Sequence, residues 1–468
     1  MVTPIFTTYS GEMSQCRVHD LMLDLIMSKC KEENFITIID TKFIMNRAPQ
    51  VRRISHQFNN RDMALGVDRM NPSQVRSYTS FSAADYMPQL SKFELSRVLD
   101  MDCGFIAGKP LDLSAINHIF LLRYVKVFGF RLELPKKFGK LEHLMTLDVS
   151  HTQLYPSNQA SDFTSLSSLR HLELPSRGGT AAMTNGLSKL CNLRTLFYFH
   201  VGANSVECIR DLGELTNLRE LSLTYSRPGD VEEDNPDTIL AASLDKLGNN
   251  NLRYLSLDYQ RAASAQFWRN CLTRPRHLQR LVLFGLIPKV PTWMAQANRL
   301  SSVSHLQVQE LRSDDFRVLA QLPCLIFLHL LAETILEKNI IIYPNAFPSL
   351  KYFGFYCELS CMTFAPAAMP RLQDLGIRFY GRGQGAMQVH ECSPVGGIEH
   401  LACLEKISVY IEVKCGHGSR IESAWRDAIS RHPNSQAMQI SVHITEYDED
   451  GYVIPVDREA VAGVIGGD

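Results

Sequence analysis

The chain has 468 residues, 45% of them hydrophobic and 21% charged. That composition suits either two or three ordinary domains or one long repeat array. Lys plus Arg total 48 and Asp plus Glu total 49, so bulk attraction to nucleic acid or to an anionic membrane is excluded, although a local patch is not.

The first fifteen residues lack the basic start and apolar run of a secretory signal. The most apolar internal stretch, 322–331, is broken by Pro323 and His329 and is too short to span a bilayer. A soluble, intracellular, cytoplasmic protein with no integral membrane segment is therefore expected. With no visible export signal, the twelve cysteines read as reduced, mostly buried thiols.

Residues 17–31 carry Val18, Leu21, Met22, Leu25 and Ile26 at i, i+3, i+4, i+7 and i+8, the apolar stripe of a helix. The β-prone run FITIID (35–40) follows. This helix and strand are expected to cap the open N-terminal edge of a sheet.

From there an apolar hexamer, LxxLxL, recurs. Clear copies start at Leu169, Leu193, Leu218, Leu252, Leu278 and Leu325. Looser ones start at Ser96, Leu122, Leu144, Val303, Leu350, Leu372 and Leu404, and imperfect ones at Val51 and Val75. Most steps fall within the roughly 20–29 residues of leucine-rich repeats. In each copy the last two apolar positions alternate with polar ones, as in a strand with one buried face. No single copy can bury that face alone, but stacked copies share one core. The expected fold is an α/β leucine-rich-repeat solenoid, a horseshoe with a concave parallel sheet of about 13–15 strands. Two long steps hold GDVEEDNPD (229–237) and GRGQG (381–385), which read as loop excursions. Near the end, residues 421–430 read as a short helix, residues 439–444 as a closing strand, and residues from Glu446 onward as a frayed tail.

CRVHDLMLDLIMSKCKEENF (16–35) resembles the end of the winged-helix part of plant NLR immune receptors, and Val18-His19-Asp20 stands at their MHD motif. VRRISHQ, VRSYTSF and FELSRVLDMDC resemble their entry into the repeats. The resemblance implies a winged-helix remnant over 1–45, a repeat domain over 46–445 and a flexible tail over 446–468. It implies that His19, beside Asp20, occupies the place of a nucleotide-sensing histidine. ADP or ATP would be bound only in a longer family member carrying a GxxxxGK[ST] loop, which this sequence does not contain; the motif is expected to be a relic, with no cofactor, in what reads as a truncated product, a fragment or a partial gene model.

No catalytic constellation is legible. There is no GxSxG. Cys16 and His19 lack the second ligand pair that zinc requires, and the Cys357–Cys361 and Cys403–Cys415–His417 groups have no ligand spacing. The remaining candidate is the concave face, read from the outward positions of each hexamer. These are Tyr124 and Phe128, Phe197 and Phe199, Tyr254 and Asp258, Arg280 and Phe284, His305 and Gln307, Phe327 and His329, Tyr352 and Tyr356, Asp374 and Arg378, and Lys406 and Tyr410. Aromatic rings with scattered charges suit a protein-binding surface. The expectation is a non-enzymatic recognition module of a disease-resistance receptor, binding an effector, a guarded host protein or an NB-ARC partner and no nucleic acid. The rival readings are a substrate adaptor of a ubiquitin ligase and a non-functional truncated receptor.

Overall fold

The computed structural model describes residues 2–7, 13–39, 51–57, 72–81, 89–102, 110–139, 141–155, 160–176, 181–225, 236–259, 265–337, 339–358, 361–380, 395–414, 416, 418–447 and 453–454. The chain forms two compact units, one chiefly of residues 13–260 and the other of residues 278–468.

The first unit opens with an antiparallel hairpin, β1 (Val2–Thr7) and β2 (Met13–Val18), followed by helix α1 (Asp20–Glu32). A ten-stranded parallel sheet follows: β3 (Thr37–Ile39), β4 (Arg53–Gln57), β5 (Ser77–Phe81), β6 (Val98–Asp102), β7 (Tyr124–Phe128), β8 (Thr146–Asp148), β9 (His171–Glu173), β10 (Thr195–His200), β11 (Glu220–Tyr225) and β12 (Tyr254–Tyr259). The fourth residue of every hexamer sets the register. Ile54, Tyr78, Leu99, Val125, Leu147, Leu172, Leu196, Leu221 and Leu255 pair in succession, and none is more than 1% exposed. The first-position leucines close the same core from the turn before each strand: Leu122, Leu144, Leu169, Leu193, Leu218 and Leu252 are all 0% exposed.

An asparagine before the hexamer stitches repeats together. Asn192, Asn217 and Asn251 each donate from Nδ2 to a carbonyl of the preceding repeat, at 3.0, 2.9 and 3.0 Å. These bonds satisfy carbonyls that the ladder leaves over, each worth about 0.5–1.5 kcal/mol. Helix α2 (Val206–Leu212) starts at Ser205, whose hydroxyl accepts the Cys208 N–H at 3.1 Å. The long step after Leu218 holds a helix, α3 (Pro236–Asn249), where sequence reading gave only a loop. Pro236 presets its first turn, and Leu240, Leu244 and Leu247 form its buried stripe. Residues 229–235 lie outside the described residues.

The second unit has seven parallel strands: β13 (Arg280–Phe284), β14 (Ser302–Leu311), β15 (Phe327–Ile335), β16 (Tyr352–Glu358), β17 (Asp374–Tyr380), β18 (Lys406–Lys414) and β19 (Gln439–Tyr447). Their common register runs Leu281, Val303, Leu328, Phe353, Leu375, Ile407, Ile440. A second, small parallel sheet joins Asn339–Ile342, Cys361–Phe364 and Val395–Gly396. Helix α4 (Ser313–Ala320) buries Phe316 and Leu319. Helix α5 (Gly418–Ser430) buries Ile421, Trp425, Ala428 and Ile429, and Trp425 lies 6.2 Å from Phe379.

Several expectations need correcting. β3 does extend the sheet, but α1 is not a packed cap: Leu21 is 73% and Leu25 52% exposed, so its apolar stripe faces outward. The repeat placed at Val303 begins at Leu300, because Val303 pairs with Leu281 and Leu328 at the fourth position. The C-terminal helix starts three residues before Ile421, and Glu446 and Tyr447 belong to β19 rather than to a frayed tail. Cys357 is buried, and Cys361 is disulfide-bonded, against the expectation of reduced cysteines. GRGQG, Cys415 and His417 fall outside the described residues.

Candidate protein-binding face

Because side chains alternate across a strand, residues three, five and seven of each hexamer line the face opposite the core. In the first unit the fifth-position row carries charge. Asp100, Lys126, Asp148 and Glu173 stand on adjacent strands β6 to β9. Lys126 Nζ lies 3.7 Å from Asp148, an ion pair within this row. Tyr124 sits half-buried beside the row, and Phe128 rests against His151 at 5.1 Å. Further along, Phe197 packs on Tyr254 at 5.6 Å, and Asp258 is half-buried at the end of the same ladder. The sequence reading took the outward positions of each hexamer, Phe197 at a fifth position among them, but named none of these four charged residues, although their charges stand openly in the hexamers.

Burial, then the neighbouring Asp148, pushes the Glu173 carboxyl up to about 7. Asp100 moves the same way, by burial first and then by Asp148 and Asp102 against the opposing pull of Lys126. An acid whose pKa is raised in the fold binds more protons folded than unfolded. Stability is therefore highest below the ordinary carboxyl range and falls as pH rises through about 7. Glu173→Gln imitates the protonated form. Its melting temperature should match the parent protein at pH 4 and exceed it at pH 8, the gap opening between the ordinary carboxyl range and about 7. A constant offset across that range, read by circular dichroism, removes the claim.

In the second unit the face is aromatic. The exposed ring of Phe284 stacks on His305 at 4.5 Å, His305 meets His329 at 5.2 Å, and His329 meets Tyr356 at 4.6 Å. Phe327 and Tyr352 stack at 4.4 Å with their planes 6° apart. Gly354 makes room for this cluster: a Cβ there would stand 2.7 Å from His329 Cδ2. Burial, and secondarily His305, holds His329 neutral by pushing it down to about 4. Beyond the rings the face turns charged but paired. Arg378 donates to Glu412 at 2.7 Å and Lys406 to Asp374 at 3.1 Å, while Tyr410 stacks on His443 at 5.0 Å. Arg280 is half-buried at the strand start, and Gln307 reaches Glu333 at 3.5 Å.

One predicted face residue lies on the wrong side. Phe199 is 0% exposed and pairs with Leu223. The register slips between Leu196 and Phe199, with Tyr198 at φ 61°, so this bulge sends Tyr198 outward and Phe199 into the core. A matching slip at Ser304–His305, with His305 at φ 54°, leaves His305 on the face. At the N-terminus, exposed His19 caps α1. Its carbonyl accepts the N–H groups of Met22 and Leu23, both at 2.9 Å, and its Nδ1 accepts that of Leu21 at 3.3 Å. Val18 ends β2 and Asp20 opens the helix. Among the described residues no group of three His, Cys, Asp or Glu side chains is arranged to hold a metal ion, and no helix is long and apolar enough to cross a membrane.

Residues 74–438 match a family model described as a leucine-rich repeat region. Among curated proteins the chain is similar to Disease resistance protein RGA5 of Oryza sativa subsp. japonica, at 31% identity over 92% of this chain and 39% of that protein. It is similar also to Disease resistance protein Pik-2 of the same rice, at 26% identity over 81% and 42%. A probable disease resistance RPP8-like protein of Arabidopsis thaliana matches at 26% over 86% and 43%. The chain thus spans about two fifths of the length of these relatives. Among solved structures, a leucine-rich-repeat protein of Leptospira interrogans aligns with a TM-score of 0.50 at 14% identity, over 84% of this chain and 90% of that one.

Proposed function

The chain belongs to the leucine-rich repeat region family, and on that premise we propose that it is the recognition part of a plant disease-resistance receptor, binding another protein through the open face of its sheets and making or breaking no bond. The observation that carries this reading is the cluster on β13 to β16, in which Phe284, His305, His329 and Tyr356 share an unbroken chain of ring contacts on an accessible face. Rings held rigid by one another lose little entropy on docking, which is why such residues dominate interface energetics. Similarity to disease-resistance proteins of rice and Arabidopsis supports the biological setting. The partner in this reading is a pathogen effector, a guarded host protein or the nucleotide-binding part of a receptor, met in the cytoplasm.

The test uses the whole chain in challenged leaf tissue, with proximity labelling by the parent protein and by a Phe284→Ala, Tyr356→Ala, Tyr410→Ala variant of unchanged melting temperature. Effector or receptor proteins should be labelled by the parent and lost from the variant. Labelling of ubiquitin-ligase core subunits, or an identical set from both proteins, overturns the proposal.

A further inference from the structure

The open face of the first unit carries unbalanced charge. Over β6 to β12 its outward positions hold six carboxylates, Asp100, Asp102, Asp148, Glu173, Glu220 and Asp258, against one lysine, Lys126. Two histidines on the same face do not offset them. Burial holds His171 and His200 below the ordinary imidazole range, so both are neutral at pH 7. All six carboxylates are half-buried. Charges held in such a recess repel one another with less screening than they would have in open solvent. A net charge of −1 for the whole chain hides this local excess.

Aromatic rings stand among these groups. Burial, and then Asp100, Asp148 and Glu173, pushes the Tyr124 phenol up. Tyr198 moves the same way, by burial first and then by Glu173, Tyr254 and Asp148. Both phenols therefore stay protonated, with their rings beside carboxylates. That pairing is what a guanidinium group takes: oxygens accept its N–H groups and ring faces meet its plane. Ser256 lies in the same fifth-position row, paired with Ser222. It is 7% exposed, and among the described residues its hydroxyl has no hydrogen-bond partner. An unpaired hydroxyl so far buried is one more acceptor for an incoming N–H.

The acceptors follow a line. From Asp100 on β6 to Ser256 on β12 the row runs roughly 29 Å at about 4.8 Å per strand, the reach of about eight extended residues. A single metal ion needs its ligands around one point, and no group of three His, Cys, Asp or Glu side chains among the described residues is so arranged. A nucleic acid would be repelled by the carboxylates. An extended segment with a cationic side chain every few residues matches the line. Lys126, 3.7 Å from Asp148, already makes the kind of contact that a partner's cation would make.

We infer that the open face of the first unit binds an extended, arginine-bearing segment of a partner protein, its guanidinium groups set between the carboxylates of Asp100, Asp148 and Glu173 and the rings of Tyr124 and Tyr198. The inference rests on the proposed reading of the sheet faces as recognition surfaces, but it uses none of Phe284, Tyr356 and Tyr410, on which that reading is tested. Glu173 makes the binding depend on pH. It is faced by Lys126 and Tyr124 on β7, Asp148 and Ser150 on β8, Tyr198 on β10 and Glu220 on β11. In that setting, with burial the largest cause, its carboxyl is half-ionised at about 7.

Fluorescence anisotropy of a labelled peptide of three Arg-Ser-Gly repeats, with the whole chain at about 50 mM salt, tests it. The parent protein should bind this peptide about tenfold or more tighter than its counterpart with citrulline in place of arginine. Affinity should rise by up to about tenfold from pH 6 to pH 8, as the ionised fraction of Glu173 climbs from about a tenth to about nine tenths. Glu173→Gln, its fold checked by far-ultraviolet circular dichroism, should bind at pH 8 as the parent does at pH 6 and show no pH dependence. A Glu232→Gln, Glu233→Gln variant, altered in the acidic run 229–237, should bind like the parent, and so should the Phe284→Ala, Tyr356→Ala, Tyr410→Ala variant. Equal binding of the citrulline peptide overturns the proposal. So does an affinity that is flat between pH 6 and pH 8, because ordinary exposed carboxyls titrate near 4. A loss in either control variant as large as that in Glu173→Gln moves the cation elsewhere on the chain and overturns it. Spermine bound as tightly as the peptide overturns it in favour of a small polyamine. If peptide binding fails while proximity labelling still depends on the rings of the second unit, the recognition reading stands without this inference.

Discussion

Phe199→Ala should destabilise the first unit by about 3–5 kcal/mol, the cost of removing a fully buried ring from a packed core, while Phe197→Ala should cost no more than about 1.5 kcal/mol. The two residues are separated by one position and both follow a core leucine, Leu196. Without a bulge, strict alternation would put both rings on the open face, and the two substitutions would be equally mild. The slip between Leu196 and Phe199 changes that. Phe199 lies against Leu223 of β11 at 0% exposure, and Phe197 stays half-buried over Tyr254. The cost of Phe199→Ala depends on how far neighbouring leucines collapse into the space, yet even the low end exceeds the worth of the Phe197–Tyr254 contact. Urea unfolding followed by far-ultraviolet circular dichroism measures both. Equal losses would mean that β10 runs without its bulge.

That pair of residues shows where sequence reading succeeds and where it stops. The hexamer places one apolar residue at each fourth position, and those positions pair strand after strand, because a buried ladder tolerates no other register. The bulges break the rule through spacing. In most repeats the apolar residues step by three and then by two. Around them the steps are three and three: Leu193, Leu196, Phe199, and again Leu300, Val303, Leu306. In the second case Val303, Leu306 and Val308 also satisfy the hexamer, so the frame read three residues late. Local pattern leaves such a tie open, and the neighbouring strands break it.

The face itself was half legible. Its aromatic members follow from alternation, but which rings touch depends on a glycine at 354 and a positive φ at His305, neither of which the hexamer specifies. The charged row of β6 to β9 was in view throughout, at positions that a search for leucines treats as spacers. Helix α1 marks the opposite limit. Its apolar stripe is real, yet periodicity names a face without naming what covers it, and here the leucines are exposed.

Gly397→Ala should unfold much of the second unit's outer layer, with a loss of about 3 kcal/mol or more. Gly397 has φ +76° and opens the short 3-10 turn Ile398–His400, accepting the His400 N–H at 3.0 Å. A Cβ at this position would run into the carbonyl oxygen of Phe364, a backbone atom of the neighbouring strand Cys361–Phe364 that cannot swing aside. Relief requires parting Val395–Gly396 from Met362 and Thr363, to which that segment is paired. The control is internal. Gly416 has φ +88°, nearly the same backbone conformation, but a Cβ there meets nothing within 4 Å. Gly416→Ala should therefore show only the left-handed penalty of about 1–2 kcal/mol. The difference between the two alanine variants, taken from urea midpoints at constant slope, isolates the steric part from the conformational one. Should Gly397→Ala prove no worse than Gly416→Ala, the close approach of these two repeats at Phe364 is wrong, and the packing assigned to the outer sheet of the second unit fails with it.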